Sequence, residues 1–118
     1  KELEVLDLRD NFLSKKIPNF ISNLSNITSL SLSNNKYTGS IPSSMQKLVR
    51  LETLQLENNL LSGKIPSWLF NIKGMTHLFL GGNNLIWNSD AKIEPTRILS
   101  QLKNLVVLLE KSHIGFLN

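Results

Sequence analysis

The amino-acid sequence predicts an α/β solenoid in which a parallel sheet lines the concave side and short helical or 3₁₀ turns line the convex side. Two observations support this fold class. The 118 residues include 23 Leu and 14 Asn, an excess typical of a repeated unit with fixed apolar positions and one fixed amide position. The apolar pattern also repeats with a 24-residue period over most of the chain. A chain of this length suits one small domain.

The strand of each unit is read from a Leu-x-Leu core. The core that begins at Leu6 returns at Leu30, Leu54 and Leu78, each time with a second Leu two residues later. Because successive side chains of a strand point to opposite faces, both Leu side chains lie on one face of a short strand. A single unit cannot bury that face, but stacked units share a core and pair their strands in parallel.

An Asn follows the second Leu of each unit by three residues, at the point where the chain leaves the strand. The turn there carries backbone groups that would otherwise be buried without partners, and an Asn side chain can hydrogen-bond them. We expect a structural Asn ladder down the stack, made of Asn11, Asn35, Asn59 and Asn83.

The segment after the Asn turn contains Ile-Pro at positions 17–18, 41–42 and 65–66. Pro fixes φ and removes a backbone donor, which favours an extended segment with the Ile side chain buried. Ser43 and Ser67 follow directly after Pro and are suited to open a short helical turn on the convex side.

The repeat is regular over about residues 1–88 and irregular over 89–118. Leu102, Leu105 and Val107 match the apolar positions of the fourth unit at a spacing of 27 instead of 24, which predicts a three-residue insertion. A longer convex helix is predicted over 95–101, with Pro in its first turn. The tail from 110 to 118 fits no repeat.

One unit is complete from Leu51 to Pro66 and reads Leu-x-x-Leu-x-Leu-x-x-Asn-x-Leu-x-Gly-x-Ile-Pro. This unit resembles the plant-specific class of leucine-rich repeat, which is found mainly in ectodomains of plant receptor-like kinases and receptor-like proteins and in secreted inhibitors of polygalacturonases. The resemblance implies a right-handed, horseshoe-shaped superhelix without enzymatic activity. It also implies an extracellular or cell-surface location, with partners bound on the concave and lateral faces.

The domain organisation follows from the same resemblance. Residues 1–118 read as a single leucine-rich repeat array. The Cys-containing caps typical of extracellular members are missing, since the chain has no Cys. We therefore expect the chain to be part of a longer ectodomain, attached to a membrane only through segments absent from this chain.

The residues beside the strand Leu form the concave face, and five of them are candidates for ligand binding. His77 and Phe79 stand out as an imidazole and an aromatic ring on one strand, because exposed aromatic side chains often anchor partners. The more common explanation for such residues is incidental surface. The five candidates are Thr53, Gln55, Glu57, His77 and Phe79, and Val106 and Leu108 extend the same face.

Two overlapping sequons precede the second strand, at Asn23-Leu24-Ser25 and Asn26-Ile27-Thr28. In a secreted protein, Asn23 and Asn26 are therefore candidates for N-glycosylation. Crowding disfavours glycans on both at once.

Several functional classes find no support in the sequence. No nucleophile elbow, phosphate-binding loop or zinc-protease motif is present, so we expect no enzyme, no cofactor and no metal site. The 13 Lys and Arg residues give a net charge of +4 but are spread along the chain, whereas nucleic-acid binding needs a concentrated patch. This charge slightly favours an acidic cell-wall glycan such as pectin.

The predicted function is therefore recognition. The first interpretation is a module of a plant receptor-like protein or kinase that binds a peptide, protein or glycan ligand in signalling or defence, together with a co-receptor. The alternatives are a secreted inhibitor of a polygalacturonase and a scaffold without a ligand of its own. The irregular stretch at 81–101 favours the receptor, because such inhibitors have near-regular repeats throughout.

Overall fold

A computed structural model of the chain describes residues 3–88, 106–108 and 114–117. These residues form ten short strands and three 3₁₀ helices. The strands are β1 Val5–Asp7, β2 Ser14–Lys16, β3 Ser29–Ser31, β4 Lys36–Gly39, β5 Thr53–Gln55, β6 Leu60–Lys64, β7 His77–Phe79, β8 Asn84–Asn88, β9 Val106–Leu108 and β10 Ile114–Leu117. The 3₁₀ helices are η1 Asn19–Asn23, η2 Ser43–Lys47 and η3 Ser67–Asn71.

The odd-numbered strands form one parallel sheet in the order β1-β3-β5-β7-β9, which we call the concave sheet. Equivalent Leu residues of successive units are direct neighbours, because Leu6 pairs with Leu30 and Leu30 pairs with Leu54. Leu54 in turn pairs with Leu78. The period of the sequence therefore becomes the pairing register, and the predicted solenoid with a parallel concave sheet is confirmed.

The even-numbered strands form a second parallel sheet in the order β2-β4-β6-β8-β10, which we call the flank sheet. The sequence predicts an extended chain here but not a sheet. Residues that pair between neighbouring strands are separated in the sequence by two residues fewer than the repeat period. Examples are the pair Lys15 and Tyr37 and the pair Thr38 and Leu60. Each strand is thus staggered relative to the repeat, and the period of the sequence does not reveal this stagger.

The convex side carries the three 3₁₀ helices, as the sequence predicts. Each begins directly after the Pro of an Ile-Pro pair, and these prolines have φ between −64° and −74°. Ser43 and Ser67 are the first helical residues rather than caps, and neither helix start has a side-chain capping bond. The constrained Pro backbone and the burial of Met45 and Leu69 therefore place these turns.

One hydrophobic core runs between the two sheets and the convex helices. Its centre is built from the Leu-x-Leu pairs, because Leu30, Leu32, Leu54 and Leu56 have no exposed surface. The Ile of each Ile-Pro pair joins this core from the flank, at Ile17, Ile41 and Ile65. A fully buried aliphatic side chain of this kind contributes about 1.5–3 kcal/mol to folding.

The Asn after each strand joins two neighbouring units. Asn59 Nδ2 donates to the carbonyls of Leu56 and Glu57 in its own unit at 3.2 and 3.3 Å and to Leu32 of the preceding unit at 2.9 Å. Its Oδ1 accepts the backbone N–H of Tyr37 at 3.1 Å. Asn35 and Asn83 make the same four kinds of bond and are also buried.

Asn11 occupies the equivalent position in the first unit but is exposed. Its amide donates only to the carbonyls of Leu8 and Arg9, at 3.0 and 2.9 Å. The four Asn residues occupy the same position of the repeat but differ in surroundings. Three of them satisfy buried backbone groups, and Asn11 satisfies exposed ones.

A second polar ladder runs along the edge of the concave sheet, and the sequence analysis missed it. Asn34 Nδ2 donates to Asp10 Oδ1 at 2.7 Å, and Asn58 Nδ2 donates to Asn34 Oδ1 at 2.8 Å. These three residues have left-handed φ values of 56–59°, which Asn and Asp tolerate better than most residues. The ladder stops at Gly82 because glycine has no side chain to continue it. A Cβ added at Gly82 would lie 3.1 Å from the backbone nitrogen of Asn58, so there is little space for a larger residue.

The C-terminal register corrects the sequence prediction. Val107, and not Leu105, pairs with Leu78, and in the flank sheet Ile114 pairs with Leu85. The predicted spacing of 27 is therefore two residues too short. It is wrong because residues 105–109 are all apolar, so a period-two pattern cannot distinguish one register from the next.

Residues 114–117, assigned above to no repeat, extend the flank sheet. The helix predicted over 95–101 lies outside the described residues.

A left-handed backbone also recurs before each Ile-Pro pair. Gly39 and Gly63 have φ of 79° and 86°, and Lys15 has φ of 68° at the equivalent position of the first unit. A Cβ in this conformation costs about 1–2 kcal/mol. The Lys15 that interrupts the Gly pattern therefore carries backbone strain.

The first prediction concerns the buried Asn residues. Replacing Asn59 with Ala leaves the buried N–H of Tyr37 without a partner and removes one of the two donors to each of three carbonyls. This change is expected to lower the free energy of unfolding by about 2–4 kcal/mol. Asn11→Ala is the matched control, with an expected loss under about 1 kcal/mol because its carbonyl partners remain open to water. Urea unfolding of both variants measures the difference, and equal losses would contradict the role given to Asn59.

The second prediction concerns Lys15. Lys15→Gly is expected to raise the free energy of unfolding by about 0.5–1 kcal/mol, because relief of the left-handed strain exceeds the entropy cost of Gly. Lys16→Gly, in the same strand, is the control and is expected to be destabilising by about 0.5–1 kcal/mol. Thermal melts measure the effect: the melting temperature is expected to rise for Lys15→Gly and to fall for Lys16→Gly. A shift in the same direction for both variants would contradict the strain assigned to Lys15.

Candidate functional site

The concave sheet brings four of the five candidate residues into one two-by-two patch. Thr53 of β5 pairs with His77 of β7, and Gln55 pairs with Phe79. Neighbouring strands lie about 4.8 Å apart, so these four side chains are adjacent on one face. Glu57 follows β5 by two residues and extends the column of Thr53 and Gln55. We call these five residues the concave patch.

The two rings of the concave patch lie close together. The ring centroids of His77 and Phe79 are 6.2 Å apart, with an angle of 32° between the planes. Phe79 is half-buried and His77 is exposed. The strand therefore presents a continuous aromatic surface that a partner side chain can cover.

Hydrogen bonding orients the imidazole of His77. Thr76 Oγ1 lies 3.0 Å from His77 Nδ1 and donates its only proton to the carbonyl of Glu52 at 3.1 Å. The hydroxyl oxygen must then accept a proton from Nδ1. In the neutral tautomer this leaves Nε2 as an acceptor for a hydrogen bond from a ligand.

Glu57 is the least satisfied polar group of the concave patch. Its Oε1 is buried and has no hydrogen-bond partner among the described residues. Burial raises the pKa of the Glu57 carboxyl, and a hydrogen bond with its own backbone and the positive charge of Arg9 partly oppose this rise. A buried carboxylate oxygen without a donor carries a desolvation cost, which an N–H or ammonium group of a ligand would relieve after a rotation of the side chain.

Arg9 is a charged residue on the concave side, two repeats before Glu57 in the sequence. Its guanidinium binds Asp7 in a fork, with Nε–Oδ1 of 2.9 Å and Nη2–Oδ2 of 2.8 Å. The hydrogen bond from Arg9 lowers the pKa of the exposed Asp7 carboxyl. Arg9, Ser33 and Glu57 are spaced one repeat apart, and this spacing already places them in one row of the concave face.

Between Arg9 and Glu57 the concave sheet has a floor of small polar side chains. Ser31 and Ser33 have only 4% and 1% of their surface exposed, and their hydroxyl oxygens are 3.3 Å apart. Small polar side chains are typical of a solvated sheet centre, but the structure buries both of these residues. Ser33 lies one repeat after the cation of Arg9 and one repeat before the carboxyl of Glu57.

The two sequon Asn residues differ in accessibility. Asn23 is exposed at the last position of η1, whereas Asn26 is half-buried. Ile27, which directly follows Asn26 in the sequence, is fully buried. Of the two, Asn23 has the geometry that leaves room for a glycan.

Neither a metal site nor a membrane span is found in the part of the chain that the structure describes. Over residues 3–88 and the two C-terminal strands, no three His, Asp or Glu side chains come together in a way that could hold a metal ion. No helix in the same residues has the length and apolar character needed to cross a lipid bilayer.

The third prediction concerns the pH dependence of stability. Because burial raises the folded-state pKa of Glu57, the folded chain holds this proton to higher pH than the unfolded chain, whose Glu pKa is near 4.3. The free energy of unfolding therefore decreases as pH rises from the unfolded pKa through the folded pKa. Glu57→Gln is expected to remove this decrease.

The measurement is urea unfolding of wild type and Glu57→Gln at pH 4 and pH 7. The variant is expected to gain stability relative to wild type on going from pH 4 to pH 7. Glu52→Gln, at an exposed carboxyl, controls for the loss of one negative charge and is expected to follow wild type. The role given to burial of Glu57 would be refuted if both variants gained equally.

Comparison with known proteins agrees with this geometry. The model of the family "Leucine rich repeat" matches residues 1–61, just over half of the chain. Receptor-like protein 39 of Arabidopsis thaliana is 39% identical over 134 residues, covering 99% of this chain and 15% of that protein. The chain therefore corresponds to a small part of this relative.

Solved structures show the same architecture. The ectodomain of the Arabidopsis receptor kinase HAESA, in complex with an IDA peptide hormone ligand, matches with a TM-score of 0.76 and 30% identity, covering 97% of this chain and 18% of that one. A plant ice-binding protein matches with a TM-score of 0.82 and 29% identity, covering 97% of this chain and 35% of that one. The predicted family is thus confirmed: the chain belongs to the leucine-rich repeat family, in the class that includes plant receptor-like proteins and receptor-kinase ectodomains.

Proposed function

We propose that this chain is a recognition module of a plant cell-surface receptor-like protein and that its concave patch binds an extended peptide. The observation that carries this proposal is the combination of one exposed and one half-buried ring with a carboxyl that has one unsatisfied oxygen. His77 and Phe79 offer aromatic surface, and the buried Oε1 of Glu57 lacks a donor. Exposed, partly desolvated groups of this kind are typical of binding hot spots.

The chemistry of the patch defines the peptide it would accept. An apolar side chain covers Phe79, and a backbone N–H or a basic side chain donates to Glu57. A donor such as a Ser, Thr or amide group meets Nε2 of His77. Ser31 and Ser33 beside the patch have small, buried side chains, which leaves room for an extended backbone along the sheet.

The extracellular location belongs to the same proposal. It is supported by the relation to a receptor-like protein and by the exposed sequon Asn23. Because the chain corresponds to 15% of that relative, further units of the parent protein would extend the concave face. A co-receptor would then bind the same peptide from the other side.

The fourth prediction tests the concave patch. Peptides of about twelve residues are selected on the immobilised chain from a random display library, and their affinity is measured by calorimetry. His77→Ala and Glu57→Gln are each expected to weaken binding about tenfold or more, the loss typical of a hot-spot residue. Phe20→Ala, at a residue that is 58% exposed on the convex side, is the matched control and is expected to have no effect.

Both patch variants alter side chains that are not fully buried, so they are expected to fold, and thermal melts check this. Selected peptides that bind wild type and His77→Ala equally but lose affinity for Phe20→Ala would place the site on the convex side. That result would overturn the proposed role of the concave patch.

A further inference from the structure

We propose that the outward face of the flank sheet is a second binding surface, which takes an acidic, uronate-containing polysaccharide. This surface is separate from the concave patch, and the proposal does not rest on peptide binding there. The observations that carry it are the sign of the charges on this sheet, the position of two of its Lys side chains and a cavity at one end.

The alternation of the flank strands defines the outward face. Tyr37, Leu61 and Leu85 point inward and are buried. The residues between them are exposed and come into adjacent rows through the pairing of Lys16 with Thr38 and of Thr38 with Leu60. The exposed set is Ser14, Lys16, Lys36, Thr38, Leu60, Ser62, Lys64 and Asn84.

Every charged side chain on β2, β4, β6 and β8 is a Lys. Lys15, Lys16, Lys36 and Lys64 lie on these strands, whereas none of the four contains Asp or Glu. Within residues 3–88, the ion pair that the structure contains joins Arg9 to Asp7 beside the concave sheet. The positive charge of the flank sheet is therefore not neutralised from within the described part of the chain, and it attracts an anionic partner.

Two of these Lys side chains lie along the surface. A Cβ added to Gly39 would be 3.2 Å from Cγ of Lys16, so the Lys16 stem crosses the space left by this glycine. Lys36 Nζ lies 5.6 Å from the centroid of the Phe12 ring. Contacts that restrict these two side chains before binding reduce the entropy that binding must overcome.

The groups around the Lys residues favour sugar over other anions. Phe12 has 84% of its surface exposed and offers an apolar plane for the C–H face of a pyranose ring. The hydroxyls of Thr38 and Ser62 can exchange hydrogen bonds with sugar hydroxyls. Nucleic-acid sites use Arg forks for phosphate and several stacking aromatics. The described strands of the flank sheet contain no Arg.

A cavity of about 460 Å³ lies at the end of this face, between the first and second units. It is lined by Lys15 and Lys16, with Asn19 and Ser40 as uncharged hydrogen-bonding groups and Pro18 as part of the apolar wall. This volume is in the range of small-ligand sites. It suits one uronate residue, with its carboxylate at the two ammonium groups and its hydroxyls at Asn19 and Ser40.

The fifth prediction tests this surface with oligogalacturonate of about twelve sugars, titrated into the chain without divalent cations. The triple variant Lys16→Ser, Lys36→Ser, Lys64→Ser is expected to lower the affinity about tenfold. The matched control is Lys47→Ser, Arg50→Ser, Lys73→Ser, which removes three exposed cations from outside the flank sheet. Its affinity is expected to stay within about threefold of wild type.

Two further comparisons keep the test specific. Poly-L-glutamate, which carries carboxylates but no sugar, is expected to bind less tightly than oligogalacturonate, and Phe12→Ala is expected to weaken the sugar ligand more than poly-L-glutamate. His77→Ala is expected to leave oligogalacturonate binding unchanged, which separates this site from the concave patch. Thermal melts establish that each variant is folded.

Three outcomes would overturn the proposal. Equal losses in the two triple variants would mean attraction to net charge alone. Equal affinity for poly-L-glutamate and oligogalacturonate would remove the role of the sugar. The absence of saturable binding by wild type would mean that the flank sheet does not bind this class of polymer.

Discussion

The structure depends on the buried amide that ends each concave strand. Asn59 donates to carbonyls of its own and the preceding unit and accepts an N–H from the start of the preceding flank strand. One side chain thus joins two units and both sheets at the point where the chain turns. Without it, backbone groups would be buried unsatisfied at every turn. The two sheets, and the surfaces they carry, keep their relative position because this contact recurs at Asn35 and Asn83.

The two sheets carry different chemistry although they share one core. The concave sheet brings together a carboxyl without a donor, two rings and an Arg–Asp pair. The flank sheet carries Lys as its charged residue type on β2, β4, β6 and β8. A peptide that donates to Glu57 and a polymer that brings carboxylates to Lys16 have opposite requirements. The two proposed ligands therefore need not compete for the same surface, and a solenoid with two exposed sheets can hold both.

Most of the fold could be predicted from the sequence, because the Leu-x-Leu spacing fixes which side chains point inward and the period fixes which units stack. The flank sheet could not be predicted, since its strands have only three to five residues and contain left-handed positions such as Lys15 and Gly63. The candidate site was predicted in part. His77 and Phe79 were found as rings on one strand, but the burial of Glu57 depends on neighbours that come from other units.

The amino-acid sequence by itself determined the repeat, the buried Leu and Ile positions and the Asn at each turn, because these follow from a local pattern that every unit repeats. Only the tertiary structure decided which polar side chains became neighbours across units. The concave strands pair one full repeat apart, whereas the flank strands pair two residues short of a repeat. Residues equivalent in sequence are therefore neighbours on one face and staggered on the other. That difference arises from hydrogen bonds between units, and it sets Arg9 in a row with Glu57 and Lys16 in a row with Leu60.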